Sequence, residues 1–351
     1  MTEPFSRRLA RRALRTALAA PETVLRRLVG PAPRSDRGHA LDLEVQVLLR
    51  LMVESRLPAE VLGVGRMRHD YAVQGPIVDF PPDLRVRVEE RRAEGPGGPI
   101  PLRVYRPTGV DAGAAACVYF HGGGFVLGGL ESHDGLCQAL AARAGCVLVS
   151  VDYRLAPEHR FPAAPHDALA AFAWVAAHAD ALGIDARRIA VAGDSAGGNL
   201  AAVVSQQTRG AAHRPCLQVL IYPATDLTRS EASHRRFSQG FLLDEALLDW
   251  FVKAYLRTPE RELRDPLASP LFATDLTGLP PAHVVTAGFD PLRDEGEAYA
   301  DALAEAGAVV TRRCEESLIH GFFSMGGVLR TPRAAFERVA VALGEGLAAA
   351  R

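Results

Sequence analysis

The chain is predicted to be an α/β protein with a mostly parallel sheet covered by helices on both faces. Three observations carry this. Short, continuous apolar runs recur, among them ACVYF (116–120), GCVLVSVDY (145–153) and RIAVAG (188–193). Stretches with helical spacing separate such runs, notably HDALAAFAWVAAHADALG (166–183) and EGEAYADALAEAG (295–307). Strands that are apolar throughout belong to sheets buried on both sides, because a strand with one wet face alternates instead. With 351 residues and 48% hydrophobic content, the chain can fill one large core and carry a smaller appendage.

Taken in order, residues 1–35 form a basic leader. Arg7, Arg8, Arg11, Arg12 and Arg15 fall on one helical arc, Leu9, Ala13 and Ala17 on the other, and Leu14 and Leu18 on the arginine side. A membrane-surface helix and a solvated or disordered leader both fit this pattern. Composition favours the loose leader, since Lys253 is the chain's only lysine and arginine-rich stretches carry less meaning in so biased a sequence. Residues 41–57 show a firmer stripe through Leu41, Val45, Leu48 and Met52, ended by Pro58, and are expected to pack as a helix. DLRVRVEER and IPLRVYRP alternate as two antiparallel strands around the GPGG turn at 95–98. The buried-strand rhythm then continues through LQVLIYP (217–223) and AHVVTAG (282–288). Residues 225–280 interrupt it with one helix, DEALLDWFVKAYL, and irregular sequence, and read as an insertion above the sheet.

The net charge of −1 gives no ground for a nucleic-acid partner. Five scattered cysteines, with no Cys-x-x-Cys pair, suit a reducing compartment. No run approaches the ~20 apolar residues of a membrane span, and the N-terminus lacks the apolar core of a signal peptide. A cytoplasmic enzyme is expected. No histidine or cysteine pair stands at a zinc-binding interval beside a third ligand, so no metal is expected.

VAGDSAGGNL (191–200) sets Ser195 between Gly193 and Gly197 at a strand-to-helix corner. A Gly-x-Ser-x-Gly elbow holds a serine hydroxyl above a sheet edge. Such a serine needs a base, and the base needs an acid to hold its tautomer, in the chain order Ser, Asp or Glu, His. Among eleven histidines only His320, in LIHGFF, follows the last clear acid at a strand end. That acid is Asp290, where HVVTAGFD ends and Pro291 breaks the run. The triad Ser195, Asp290 and His320 follows. Asp294 and Glu295 read instead as first-turn acids favoured by a helix dipole. The loop after ACVYF, YFHGGGFVLGG, supplies backbone donors for an oxyanion, with the Ala196 N–H as a further donor. A phosphate cradle is excluded, since Walker spacing and a helix-opening Gly-x-Gly-x-x-G are both missing.

HGGGF (121–125), YRLAPEHRFPA (153–163), GDSAGGNLA (193–201), GFDPLRDEG (288–296) and HGF (320–322), in this order, resemble the hormone-sensitive-lipase-like carboxylesterases of the α/β-hydrolase fold. The resemblance runs from about residue 84 to the C-terminus. It implies an eight-stranded sheet with an antiparallel second strand, hydrolysis of small-molecule esters with short to medium acyl groups through an acyl-enzyme, and no cofactor. It assigns oxyanion donors to Gly123 and Gly124, a loop-bracing role to His121 and a buried hydrogen-bonding role to Glu158. It also implies a cap made of residues 36–80 and an insertion at 225–280, over a catalytic domain spanning 81–351. An amidase or peptidase on the same fold is the alternative enzyme. A silent ligand receptor, of the kind the gibberellin receptor represents, is disfavoured because such a receptor lacks the histidine kept here as His320.

Overall fold

A computed structural model describes residues 4–53 and 58–350. Four helices come first: α1 (Phe5–Leu18), α2 (Glu22–Val29), α3 (Leu43–Val53) and α4 (Ala59–Val78), the last kinked at Gly63. Residues 54–57 of the stretch expected to be helical, and residues 1–3 of the leader, lie outside the described residues.

Strands β1 (Val86–Ala93) and β2 (Ile100–Pro107) form the expected antiparallel pair. Then come β3 (Ala114–Phe120), α5 (Asp134–Ala144), β4 (Val147–Val151), α6 (Ala163–Ala177), α7 (Ala179–Leu182), β5 (Ile184–Asp194) and α8 (Ala196–Gln207). After β6 (Leu217–Ile221) the insertion carries three α-helices, α9 (Ala232–Arg236), α10 (Glu245–Tyr255) and α11 (Pro259–Glu262), and one 3₁₀ turn at Pro270–Phe272. The chain closes with β7 (Ala282–Phe289), α12 (Arg293–Glu305), β8 (Val310–Ile319) and α13 (Arg330–Ala349).

The eight strands form one sheet in the order β1-β2-β4-β3-β5-β6-β7-β8. Only β1/β2 and β2/β4 pair antiparallel. Side chains alternate across it, so both faces are core: Val118 and Phe120 of β3 join the cluster containing Phe172 of α6 and Leu200 of α8. Cys117 and Tyr119 point the other way, into the cluster with Leu140 of α5 and Leu343 of α13. Full burial on both faces is why these strands read as continuous apolar runs. No helix among the described residues is long and apolar enough to cross a membrane.

The leader departs from the expectation of a loose segment. Leu18 and Leu25 are buried with the residues of α3, and Arg11 is buried too. The Arg11 guanidinium donates to the carbonyls of Pro76 (2.6 Å) and Ile77 (3.1 Å) at the end of α4, and Arg15 Nε donates to that of Gly327 (3.0 Å). A helix leaves its last carbonyls unpaired, and arginine satisfies them while its stem covers apolar surface. The arc holding Arg11, Arg15, Leu14 and Leu18 is therefore the inner one, and the face bearing Leu9 and Ala13 is outside.

Candidate active site

Ser195 is the single residue between β5 and α8, and its φ of 57° lies where side chains are seldom found. Such strain costs on the order of 1–3 kcal/mol and persists only where surroundings enforce it. Here the Ser195 N–H donates to the Ile221 carbonyl (2.9 Å), and the Ser195 carbonyl accepts from Asn199 N (3.0 Å) and Ala224 N (3.2 Å). The glycines permit the corner's tight crossing: a Cβ on Gly197 would overlap the Phe120 carbonyl, and one on Gly193 the backbone of Gly197.

His320 follows β8, and its Nε2 lies 2.9 Å from Ser195 Oγ. Its Nδ1 lies 2.8 Å from Asp290 Oδ2. Asp290 is fully buried just past β7, and its other oxygen accepts the Leu292 N–H at 2.8 Å, which fixes the carboxylate's direction. A carboxylate accepts only, so Nδ1 carries the proton and Nε2 is left to accept one from the serine. The ring of Tyr222 rests 4.6 Å from the imidazole centroid. Three side chains far apart in sequence thus meet at the carboxyl edge of the sheet.

The neighbouring acids face elsewhere. Asp294 accepts from Ser233 N (2.9 Å) and Arg293 Nε (2.7 Å). Glu295 is more than a first-turn acid. It is fully buried, accepts from Thr225 N (2.6 Å) and Asp226 N (3.2 Å), and lies 2.6 Å from His234 Nε2, pinning the insertion's root to α12. Burial pushes its carboxyl up, against the opposing pull of His234 and the two N–H groups.

The glycine loop is held from beneath by Asp194, which the sequence reading overlooked. Its buried carboxylate accepts from Gly122 N (2.9 Å) and Tyr119 OH (2.7 Å), with His133 Nε2 at 3.6 Å. Burial alone would raise this carboxyl, but His133, Tyr119 and Gly122 outweigh it and hold it below the ordinary value. His133 is raised in turn, its burial overcome chiefly by Asp194. The acid inside GDSAG was the available signal, since a carboxylate beside a corner serine must find buried donors.

His121 braces the loop as expected. Its Nδ1 pairs with the Gly122 carbonyl (2.8 Å), its ring stacks on Tyr153 at 4.4 Å, and burial followed by the nearby His133 lowers it to about 3, so it stays neutral. Glu158 corrects the expectation of a buried anchor. It is exposed and forms a two-pronged ion pair with Arg68 at 2.9 and 2.7 Å, because Arg68 is held over it by the carbonyls of Val126 and Ala156.

Gly123, Gly124 and Ala196 line one cavity together with Ser195 and His320, and none of their three N–H groups has a protein acceptor among the described residues. The cavity measures about 460 Å³. Leu227, Leu247, Phe251 and Leu292 give it an apolar wall, while α4 contributes Arg66, Asp70, Tyr71 and Gln74. Phe251 lies directly over Gly124, so a Cβ there would strike its ring. Among the described residues no group of three or more His, Cys, Asp or Glu is placed to hold a metal ion.

The strand order and a serine at the turn after β5 define the class, an α/β-hydrolase. A family model described as the alpha/beta hydrolase fold matches residues 117–324. The carboxylic ester hydrolase LipN of Mycobacterium tuberculosis is 49% identical over 255 residues, covering 70% of this chain and 68% of that protein. The ethyl acetate hydrolase of Pseudomonas putida is 44% identical, over 66% of this chain and 74% of its own. Among solved structures, an ester hydrolase from the Lake Arreo metagenome superposes with a TM-score of 0.84 at 43% identity, covering 88% of this chain and 99% of that one. The chain belongs to the hormone-sensitive-lipase-like carboxylesterase family of the α/β-hydrolase fold.

Proposed function

We propose that this carboxylesterase works through Ser195, His320 and Asp290, and that its acyl pocket is the apolar side of the cavity. Ser195 Oγ attacks the ester carbonyl while His320 Nε2 takes its proton, and Asp290 holds the opposite N–H and stabilises the imidazolium. The N–H groups of Gly123, Gly124 and Ala196 receive the oxyanion. The tetrahedral adduct then expels the alcohol, which leaves with the proton from His320. Water, deprotonated by the same nitrogen, attacks the acyl-enzyme and releases the carboxylic acid and free Ser195. The observation that carries this reading is the pair of contacts on one imidazole, 2.9 Å to Ser195 and 2.8 Å to Asp290. The same pair argues against a silent receptor.

Residues 36–80 and 225–280 serve in this reading as a cap. Supporting it, α4 and α10 pack on each other and both line the cavity. An apolar wall of leucines and Phe251 favours an uncharged acyl chain, and a cavity of about 460 Å³ suits one of short to medium length. A series of p-nitrophenyl esters of increasing acyl length tests the assignment: kcat/KM is expected to peak among short to medium chains and to fall for long ones. A maximum at long chains would contradict the pocket assignment, and inertness toward every ester would contradict the chemistry.

A further inference from the structure

The docking of α1 by its Arg11 and Leu18 arc settles which of its side chains face outward, and these do not resemble an ordinary solvated face. Phe5 is 73% exposed and Leu9 57% exposed, one turn apart on the same side, flanked by the exposed Arg8 and Arg12. The following helix exposes Val24 and Leu28 beside Arg27. Of the eleven large apolar side chains most exposed among the described residues, seven lie in the helices before β1, though these make up under a quarter of the chain. Soluble surfaces scatter such residues singly, and a concentration of them marks a contact surface.

Charge decides which contact. Residues 4–29 hold seven arginines against a single acid, Glu22, and Arg26 already pairs with that acid at 2.6 Å. Arg8 and Arg12 have no acidic partner among the described residues, although Arg8 lies 6.0 Å from the Phe5 ring. A face that mixes an aromatic, a leucine and unpaired guanidiniums suits an interface where apolar tips enter the acyl boundary and arginines reach the phosphates. A second copy of this chain would bring the same positive charge against itself.

We propose that the outer face of α1, extended by α2, docks the protein on an anionic lipid surface. The consequence reaches the cavity, because α1 is fastened through Arg11 to the end of α4, the helix that supplies Tyr71, Gln74 and Val78 to the cavity wall. Docking therefore delivers the ester-binding cap to lipid without a spanning helix. It does not depend on the hydrolytic reading.

Sedimentation of the full chain with vesicles tests this, using phosphatidylcholine alone and phosphatidylcholine with phosphatidylglycerol. Binding is expected only to the anionic vesicles and is expected to fade as salt rises, since screening shortens the reach of surface charge. Phe5→Ser with Leu9→Ser, which removes the apolar tips, and separately Arg8→Glu with Arg12→Glu, which reverses the charge that anionic lipid attracts, should each weaken the vesicle-binding constant at least about tenfold. Because these side chains are exposed, both variants should keep the thermal midpoint and the turnover of a soluble short-chain ester. Absence of binding, equal binding to neutral vesicles, or binding indifferent to both variants would overturn the proposal. So would a dimer in solution that Leu9→Ser dissociates while vesicles remain unbound.

Discussion

The Asp194 carboxylate accepts the Gly122 N–H at 2.9 Å, tying the glycine loop to the residue that precedes Ser195. The two strand ends that carry them, β3 and β5, are neighbours in the sheet, and this bond fixes the loop's height above the serine. Asp194→Ala removes both the acceptor that Gly122 N and Tyr119 OH share and the charge that His133 faces. Oxyanion donors are effective only when fixed in place, so kcat should fall by about 10²-fold with KM changed little. Circular dichroism must show a folded protein, since breaking a buried charge pair also costs about 3–5 kcal/mol. Unchanged kcat in a folded variant would remove Asp194 from this role.

Asp290 and Asp294 stand four residues apart, yet only Asp290 touches His320. Asp290→Asn should let the imidazole take the wrong tautomer and lower turnover by about 10⁴-fold. Asp294→Asn, which disturbs only the contacts to Arg293 and Ser233, should cost far less. Steady-state kinetics on a soluble ester distinguishes the two, and reversed losses would make Asp294 the acid.

Asp79, fully buried, accepts from Phe80 N (2.7 Å) and Leu136 N (3.0 Å), and burial raises its carboxyl from 3.8 to about 7 against the pull of these donors and His133. An acid that binds its proton more tightly when folded stabilises most at low pH. Its contribution is fully present below 3.8 and is lost as pH rises to about 7. Asp79→Asn cannot titrate. Urea unfolding across that interval should therefore show wild-type stability falling relative to the variant as pH rises, and parallel curves would contradict the burial account.

Removal of residues 1–35 should lower the melting temperature, because it uncovers what Leu18 and Leu25 bury, strips the Pro76 and Ile77 carbonyls of Arg11 and takes Arg15 from the Gly327 carbonyl. Each buried leucine is worth roughly 2 kcal/mol, so a drop of several degrees is expected. An unchanged midpoint would return the leader to the loose state that its composition suggests.

That last point marks where the sequence stops being readable. LQVLIYP reads as a strand because a short apolar run with β-branched Val219 and Ile221, bounded by breakers, suits a strand buried on both faces, and β6 occupies Leu217–Ile221. Ser195, Asp290 and His320 could be picked out because an elbow serine is followed in the chain by its acid and then its histidine, with the acid at a strand end. Periodicity revealed two arcs on α1 but not which one faces the core, since arginine can cap buried carbonyls as well as face water. His133 and Tyr119 lie 61 and 75 residues before Asp194, and nothing in their own neighbourhoods marks them as its partners. Glu158 sits in a dense motif, but a motif does not say which side chain turns outward toward Arg68.

The central claim is that one serine carries the acyl group, and covalent trapping tests it most directly. Incubation with a fluorophosphonate, followed by peptide mass spectrometry, should place a single adduct on Ser195, and Ser195→Ala should neither label nor hydrolyse esters while remaining folded. Ester turnover retained by a folded Ser195→Ala protein, or an adduct on another residue with Ser195 unmodified, would contradict the account.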